Sequence, residues 1–118
     1  MKKQNVIAAL AALAQDNRLD VYRLLVQAGP EGMSAGSVAS ALKLAPNTLT
    51  FHFDRLREAG LVTVRRDGRS MIYAARFDTM NALLGYLTEN CCQRKSDQGV
   101  PVECKAPISS VSRPKERV

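Results

Sequence analysis

Three cysteines carry the most distinctive chemistry of this chain. Cys91 and Cys92 are adjacent, and Cys104 lies twelve residues beyond Cys92. Thiolates are soft ligands and select soft acceptors, such as As(III), Sb(III), Cu(I) and cadmium. Zinc usually takes four ligands, whereas trivalent arsenic and antimony favour three sulfurs. The sequence therefore predicts a metalloid site made of Cys91, Cys92 and Cys104.

The adjacency of Cys91 and Cys92 restricts where such a site can form. Successive side chains of an α-helix point about 100° apart, so the two sulfurs converge on one atom only where the helix frays. The pair therefore predicts a site at a helix end. Monomethylated arsenite offers only two bonds to protein, so Cys91 and Cys92 alone could bind it. An odd number of cysteines without a secretory signal indicates a reducing, cytoplasmic location.

The composition restricts the class of protein. A length of 118 residues predicts one domain, residues 1–92, followed by a tail. The net charge of +6 predicts a polyanionic partner such as nucleic acid. Residues 93–118 are polar, contain three prolines and predict a tail without regular structure. No phosphate loop, paired carboxylates or histidine-supported nucleophile is present, so we expect no enzyme. No apolar run approaches the roughly 20 residues of a membrane span.

Hydrophobic periodicity and turn signals predict the order of the elements. Four helices are expected first, then a β-hairpin around Asp67-Gly68, then a last helix reaching about Asn90. Asp16, Ser34 and Asp78 are predicted N-caps, and Pro46 suits a first helical turn. The predicted helices cover residues 3–14, 16–29, 35–42, 46–59 and 78–90, and the predicted strands cover 61–66 and 70–75. This order predicts a winged helix-turn-helix, mainly α with a hairpin wing.

Apolar stripes on the first and last helices exceed what one small core requires. We therefore expect these two helices to form a homodimer interface, which would present two recognition helices to a pseudo-palindromic site. The alternative is that both stripes complete the core of one subunit. The stripe of the first helix consists of Val6, Ile7, Leu10 and Leu13, and that of the last helix of Met80, Leu83, Leu84 and Leu87. On the second helix, the residues predicted to face inward are Leu19, Tyr22, Leu25 and Val26.

The fourth helix is the predicted recognition helix. On a helical wheel Leu49, Phe53 and Leu56 face the core. Acidic Asp54 and Glu58 would be repelled by phosphate, so the N-terminal half should enter the groove. The predicted DNA contacts of this helix are Asn47, Thr48, Thr50, Phe51 and Arg55. The only histidine, His52, lies nearer the buried side, and we expect it to be structural.

Three arginines surround the predicted hairpin turn. Arg65, Arg66 and Arg69 could reach phosphates or a narrow minor groove. The alternative is an ordinary solvated turn without a DNA contact.

The segment from Thr48 to Val62, which reads TLTFHFDRLREAGLV, resembles the recognition helix and first wing strand of ArsR/SmtB-type repressors. Asn90-Cys91-Cys92 is similar to arsenic-responsive members with thiols at the last helix and tail. One arsenic site of the family uses cysteines before the recognition helix, but residues 33–37 contain none. The family's Asp/His zinc site on the last helix is also excluded, because His52 is the only histidine.

The expected function is a cytoplasmic transcriptional repressor. It would bind operator DNA without ligand and release it when As(III) or Sb(III) is bound by Cys91, Cys92 and Cys104. One alternative is a repressor that responds to oxidation or persulfidation of the thiols. The other is a constitutive DNA-binding protein with incidental cysteines.

Overall fold

The computed structural model describes residues 1–93. These fall into two compact parts, Met1–Leu84 and the segment that begins at Gly85. The described part of the chain contains no helix long and apolar enough to cross a membrane. The elements are α1 (Lys3–Leu13), α2 (Asp16–Ala28), β1 (Met33–Ser34), α3 (Ala35–Leu42), α4 (Pro46–Glu58), β2 (Val62–Asp67), β3 (Ser70–Ala75) and α5 (Phe77–Leu87).

Local signals determine where the central helices begin and end. The Ser34 hydroxyl accepts a hydrogen bond from the Ser37 N–H at 3.1 Å and caps α3. Pro46 is in the first turn of α4, where its missing N–H costs nothing. Gly29 ends α2 with a φ of +85°, which favours glycine. The predicted Ser34 cap, Pro46 start and Gly29 end are therefore confirmed.

The wing is part of a three-stranded antiparallel sheet with the order β1-β3-β2. Asp67 pairs with Ser70, so Gly68 and Arg69 are the two central residues of the hairpin turn. The short strand β1 was not predicted; Met33 pairs with Tyr73. Gly32 precedes β1 with a φ of +76°, and a Cβ there would collide with the Tyr73 carbonyl oxygen. The sheet thus requires glycine at this position.

The core lies where α2, α3, α4 and the sheet meet. Phe53 of α4 is 1% exposed and stacks on the Tyr73 ring of β3, with ring centroids 3.6 Å apart. The other large, fully buried side chains are Val21, Leu25, Val38, Leu49, Leu56, Leu61 and Val62. This packing anchors α4, and the winged helix-turn-helix prediction is confirmed.

The apolar stripe of α1 is only partly covered within one subunit. Val6 is buried, but Ile7 and Leu10 are 57% and 42% exposed. The small side chains of Ala9 and Ala12 are buried instead, because they let α1 approach its neighbours closely. On α2, Leu19 is 44% exposed, so its predicted inward position is wrong.

The ends of two helices also differ from the prediction. α5 ends at Leu87, not near Asn90, and turns follow it. Gln15, not Asp16, caps α2, because its side chain accepts the Arg18 N–H at 2.9 Å. Asp78 lies inside the first turn of α5, and its carboxylate accepts the Thr79 N–H at 2.8 Å.

Candidate DNA interface and thiol pair

The two faces of α4 separate core residues from candidate DNA contacts. Leu49, Phe53 and Leu56 are at most 2% exposed, as predicted. The candidate DNA contacts on α4 are all exposed: Asn47, Thr48, Thr50, Phe51 and Arg55. The helix therefore presents one continuous polar and aromatic face to solvent.

Two polar residues in the first turns of α4 have internal hydrogen bonds. The Asn47 side-chain oxygen accepts the Thr48 N–H at 3.0 Å. The Thr50 hydroxyl donates to the Pro46 carbonyl at 3.0 Å. Both bonds orient side chains on the exposed face, and the Thr50 oxygen keeps lone pairs that can accept from a base or water.

Phe51 and Arg55 form an exposed cation–π pair. The Arg55 guanidinium carbon lies 5.0 Å from the Phe51 ring centroid. One Arg55 nitrogen also lies 3.0 Å from a Glu58 carboxylate oxygen, and Arg57 pairs with Asp54 at 3.7 Å. Such exposed ion pairs contribute at most about 1 kcal/mol. A phosphate can therefore compete for either arginine at low cost.

The wing arginines are all exposed but have different surroundings. Arg65 donates to the Glu31 carbonyl at 3.1 Å, next to β1. Arg66 donates to the Gly68 carbonyl at 3.3 Å. Since neighbouring side chains of a strand point to opposite faces, Arg65 and Arg66 present charge on the two sides of the hairpin. Arg69 lies in the turn itself.

His52 is buried on α4, as expected for a structural residue, with 5% of its surface exposed. Its Nδ1 lies 3.5 Å from an Arg18 guanidinium nitrogen. Burial, reinforced by the Arg18 charge, holds the pKa of His52 below its usual value. Within residues 1–93 its Nε2 has no hydrogen-bond partner. Sequence reasoning missed Arg18, because nothing in the local pattern connects residues 34 positions apart.

The Cys91–Cys92 pair lies beyond the end of α5. The Cys91 N–H donates to the Thr88 carbonyl at 2.9 Å, which makes a turn. Asn90 and Cys92 have φ values of +61° and +64°, so the backbone leaves helical geometry at both residues. The two sulfurs lie 3.2 Å apart. The predicted position of the pair at the end of the last helix, and not within it, is confirmed.

Cys104 lies outside the described residues. Among residues 1–93, no group of three or more cysteine, histidine, aspartate or glutamate side chains is arranged to hold a metal ion. The described residues therefore bring together two of the three predicted thiols.

Comparisons with known proteins agree with this geometry. A family model described as a helix-turn-helix domain matches residues 13–65. The chain is 38% identical to the uncharacterized HTH-type transcriptional regulator YceK of Bacillus subtilis over 77 residues. This alignment covers 64% of this chain and 76% of YceK. An ArsR-like regulator from Rhodococcus sp. RHA1 superposes with a TM-score of 0.63 and 26% identity over 71% of this chain and 76% of that one. The chain belongs to the ArsR family.

A further structural neighbour, described as a possible ArsR-family regulator, has a known assembly. The homodimeric winged helix-turn-helix DNA-binding domain of a Mycobacterium bovis regulator has a TM-score of 0.60 and 26% identity, over 74% of this chain and 81% of that one. The resemblance to ArsR/SmtB-type regulators is thus confirmed. The ArsR-family chain described here is a DNA-binding transcriptional regulator and not an enzyme.

Proposed function

We propose that this ArsR-family regulator is a homodimeric repressor that binds operator DNA without ligand and releases it when its cysteines bind As(III) or Sb(III). The observation that carries the proposal is the pair of sulfurs 3.2 Å apart, in turns that follow the last helix of a winged helix-turn-helix chain. Soft thiolates in this arrangement select a soft acceptor over magnesium or calcium.

The sulfur separation suits two ligands of one ion. With metal–sulfur bonds of about 2.3 Å, two thiolates on one centre lie roughly 3.5–3.8 Å apart. A shift of a few tenths of an ångström would bring Cys91 and Cys92 to that distance. Cys104 would supply the third sulfur, since a chain of twelve residues spans up to about 40 Å. Because the thiolate is the binding form, uptake should release protons.

The DNA contacts follow from the exposed face of α4 and from the wing. The N-terminal half of α4 would read base edges with Asn47, Thr48, Thr50 and Phe51, and a thymine methyl is the natural partner of the Phe51 ring. Arg55 would contact phosphate or guanine. The wing arginines Arg65, Arg66 and Arg69 would contact phosphate or the minor groove.

A second copy of the chain is the proposed occupant of the apolar surface of α1 and α5. Ile7 and Leu10 of α1 and Leu87 of α5 are exposed. An apolar groove of about 440 Å³ also lies within Met1–Leu84. It is lined by Leu13, Leu19, Tyr22, Arg23, Val26, Gln27, Met80, Leu83 and Leu84. The homodimeric M. bovis relative supports this assignment.

The proposed release begins at the thiols. Ligand binding by Cys91 and Cys92 would rearrange the turns that follow α5. Because α5 is also a proposed dimer helix, the change would alter the spacing between the two recognition helices. A wrong spacing costs base contacts in both half-sites at once.

A redox response is the second candidate, and the 3.2 Å contact between the two sulfurs favours it. Oxidation or persulfidation of either thiol would change the same segment without a metalloid.

The test is a DNA-release titration with four reagents. The full chain is bound to a duplex that it selects from a random-sequence library, under reducing conditions, and arsenite, antimonite, cadmium and peroxide are added separately. Release by arsenite and antimonite supports the proposal. Release by peroxide alone supports the redox candidate, and release by none of the four contradicts both.

A further inference from the structure

Arg18 connects three helices through one side chain. Its Nε donates to the Ala12 carbonyl at 2.7 Å, in the last turn of α1. Its Nη1 lies 3.5 Å from Nδ1 of His52 on α4. The Gln15 side chain accepts its backbone N–H at the start of α2. The guanidinium is therefore held where α1, α2 and the recognition helix meet.

The contact between Arg18 and His52 requires one protonation state of the imidazole. Arginine carries only donors, so Nδ1 of His52 must accept, and we assign the proton to Nε2. A doubly protonated imidazolium would turn a donor toward the guanidinium and place two positive charges in contact. The contact therefore exists only with neutral His52.

His52 also contacts the predicted DNA-binding face of its own helix. Its ring lies edge-on to the Phe51 ring, with centroids 5.8 Å apart. Phe51 is 50% exposed and is covered on one side by Arg55. A continuous chain of contacts thus runs from Ala12 of α1 through Arg18 and His52 to Phe51.

We propose that Arg18 and His52 are a positioning pair that sets the placement of the recognition helix relative to α1, and that protonation of His52 disengages it. The inference rests on the proposed function, in which α1 builds the dimer and α4 reads DNA. Neither residue needs to touch DNA. The pair would keep the recognition helices at the correct spacing.

Among residues 1–93, Arg18 is the charged residue in contact with the His52 ring. Asp54 and Glu58 of α4 are paired with Arg57 and Arg55. α3 has no titratable side chain in its sequence. The titratable residues on the other elements packed against α4 are Lys3 of α1, Asp16, Arg18, Asp20, Tyr22 and Arg23 of α2, Arg65, Arg66 and Asp67 of β2, and Tyr73 of β3.

The experiment measures the affinity of the full chain for the selected duplex and for a scrambled duplex, across pH 5 to 8 and across salt. Arg18→Lys keeps the charge but cannot make both contacts. We expect it to weaken binding to the selected duplex by about tenfold. Binding to the scrambled duplex and the salt slope should not change, because the proposal assigns Arg18 no phosphate contact.

His52→Asn and His52→Phe separate positioning from packing. The asparagine oxygen can replace Nδ1 as acceptor, so His52→Asn should retain affinity at pH 8 and lose the decline of affinity at acid pH. His52→Phe should bind the selected duplex weakly at every pH, because phenylalanine offers no acceptor to Arg18. Thermal unfolding of each variant identifies any loss that comes from misfolding.

Three outcomes would overturn the inference. If Arg18→Lys and His52→Asn both keep full affinity and the wild-type pH profile, the positioning pair is excluded and the proposed function is not. Equal losses on the selected and scrambled duplexes would show a non-specific effect and would also exclude it. A wild-type chain that selects no duplex overturns the proposed function together with the pair.

Discussion

The recognition helix and the last helix are both amphipathic, but the fold uses them differently. α4 buries Leu49, His52, Phe53 and Leu56, whereas α5 buries only Leu83. The apolar residue at the end of α5, Leu87, is 55% exposed. The chain's own core therefore fixes α4, the proposed DNA-reading helix, but leaves α5 with apolar surface that a second subunit can cover.

This difference in burial is compatible with the proposed sensing function. A helix fixed by its own core presents constant DNA contacts. A helix completed by a partner can change when the segment after it changes. The thiol pair follows the less buried of the two helices, which is where a small rearrangement costs least.

A matched pair of truncations tests the difference in burial. Leu56→Ala on α4 removes a fully buried side chain and should cost about 3–4 kcal/mol of unfolding free energy. Leu87→Ala on α5 removes an exposed one and should cost less than about 0.5 kcal/mol in the monomer. Urea unfolding at low protein concentration measures both, and equal losses would contradict the comparison.

A charge on the exposed face of α1 tests whether a second subunit covers it. Leu10→Asp would bury an unpaired carboxylate in the dimer and should weaken dimerisation by about 3 kcal/mol or more. Sedimentation equilibrium measures this. Phe51→Ser is the control, since Phe51 is a similarly exposed apolar residue on the DNA face. If the Leu10→Asp variant stays dimeric, α1 is not part of the interface.

Removing two wing arginines tests the outer part of the DNA interface. Arg65→Ala with Arg69→Ala should weaken binding and reduce the slope of log affinity against log salt by about 2, one for each phosphate contact. Arg76→Ala is the control, because Arg76 already pairs with Asp78 at 3.1 Å. A double variant with the wild-type slope would exclude these two arginines from phosphate contacts.

The smallest expected effect is the pH dependence from His52. Burial first, and then the Arg18 charge, hold the pKa of His52 below its usual value of 6.5. The unfolded chain therefore binds a proton before the folded chain as the pH falls. Stability should be full above about pH 6.5 and decline below it, by at most about 1.4 kcal/mol per pH unit. His52→Asn should remove this part of the profile in urea unfolding.

The sequence predicted the elements with strong local signals. Ser34, Pro46 and Gly29 mark helix ends through caps and backbone preferences that act within a few residues, and the Asp67-Gly68 pair marks the hairpin. The wheel also separated the buried and exposed faces of α4 correctly. Such signals need no knowledge of tertiary contacts.

Other features depend on distant or weak signals. Periodicity identifies an apolar stripe on α1 but not which of its residues one subunit covers: Val6 is buried, whereas Ile7 and Leu10 are exposed. β1 has two residues and is too short to show a pattern. The Arg18–His52 contact joins positions 34 residues apart. The early end of α5 goes with positive φ values at Asn90 and Cys92, which no sequence period encodes.

A variant of the third cysteine tests whether Cys104 is a ligand of the bound metalloid. Cys104→Ser should weaken the response to inorganic arsenite, which uses three sulfurs, and spare the response to monomethylated arsenite, which uses two. Equal loss of both responses would assign Cys104 a role other than the third ligand.

The most direct test of the central claim is DNA release by arsenite in the variant Cys91→Ser with Cys92→Ser. We predict that this variant binds the selected duplex as tightly as wild type and stays bound when arsenite is added, whereas wild type dissociates. Release of the double variant at the wild-type arsenite concentration would place the sensing site elsewhere and contradict the account.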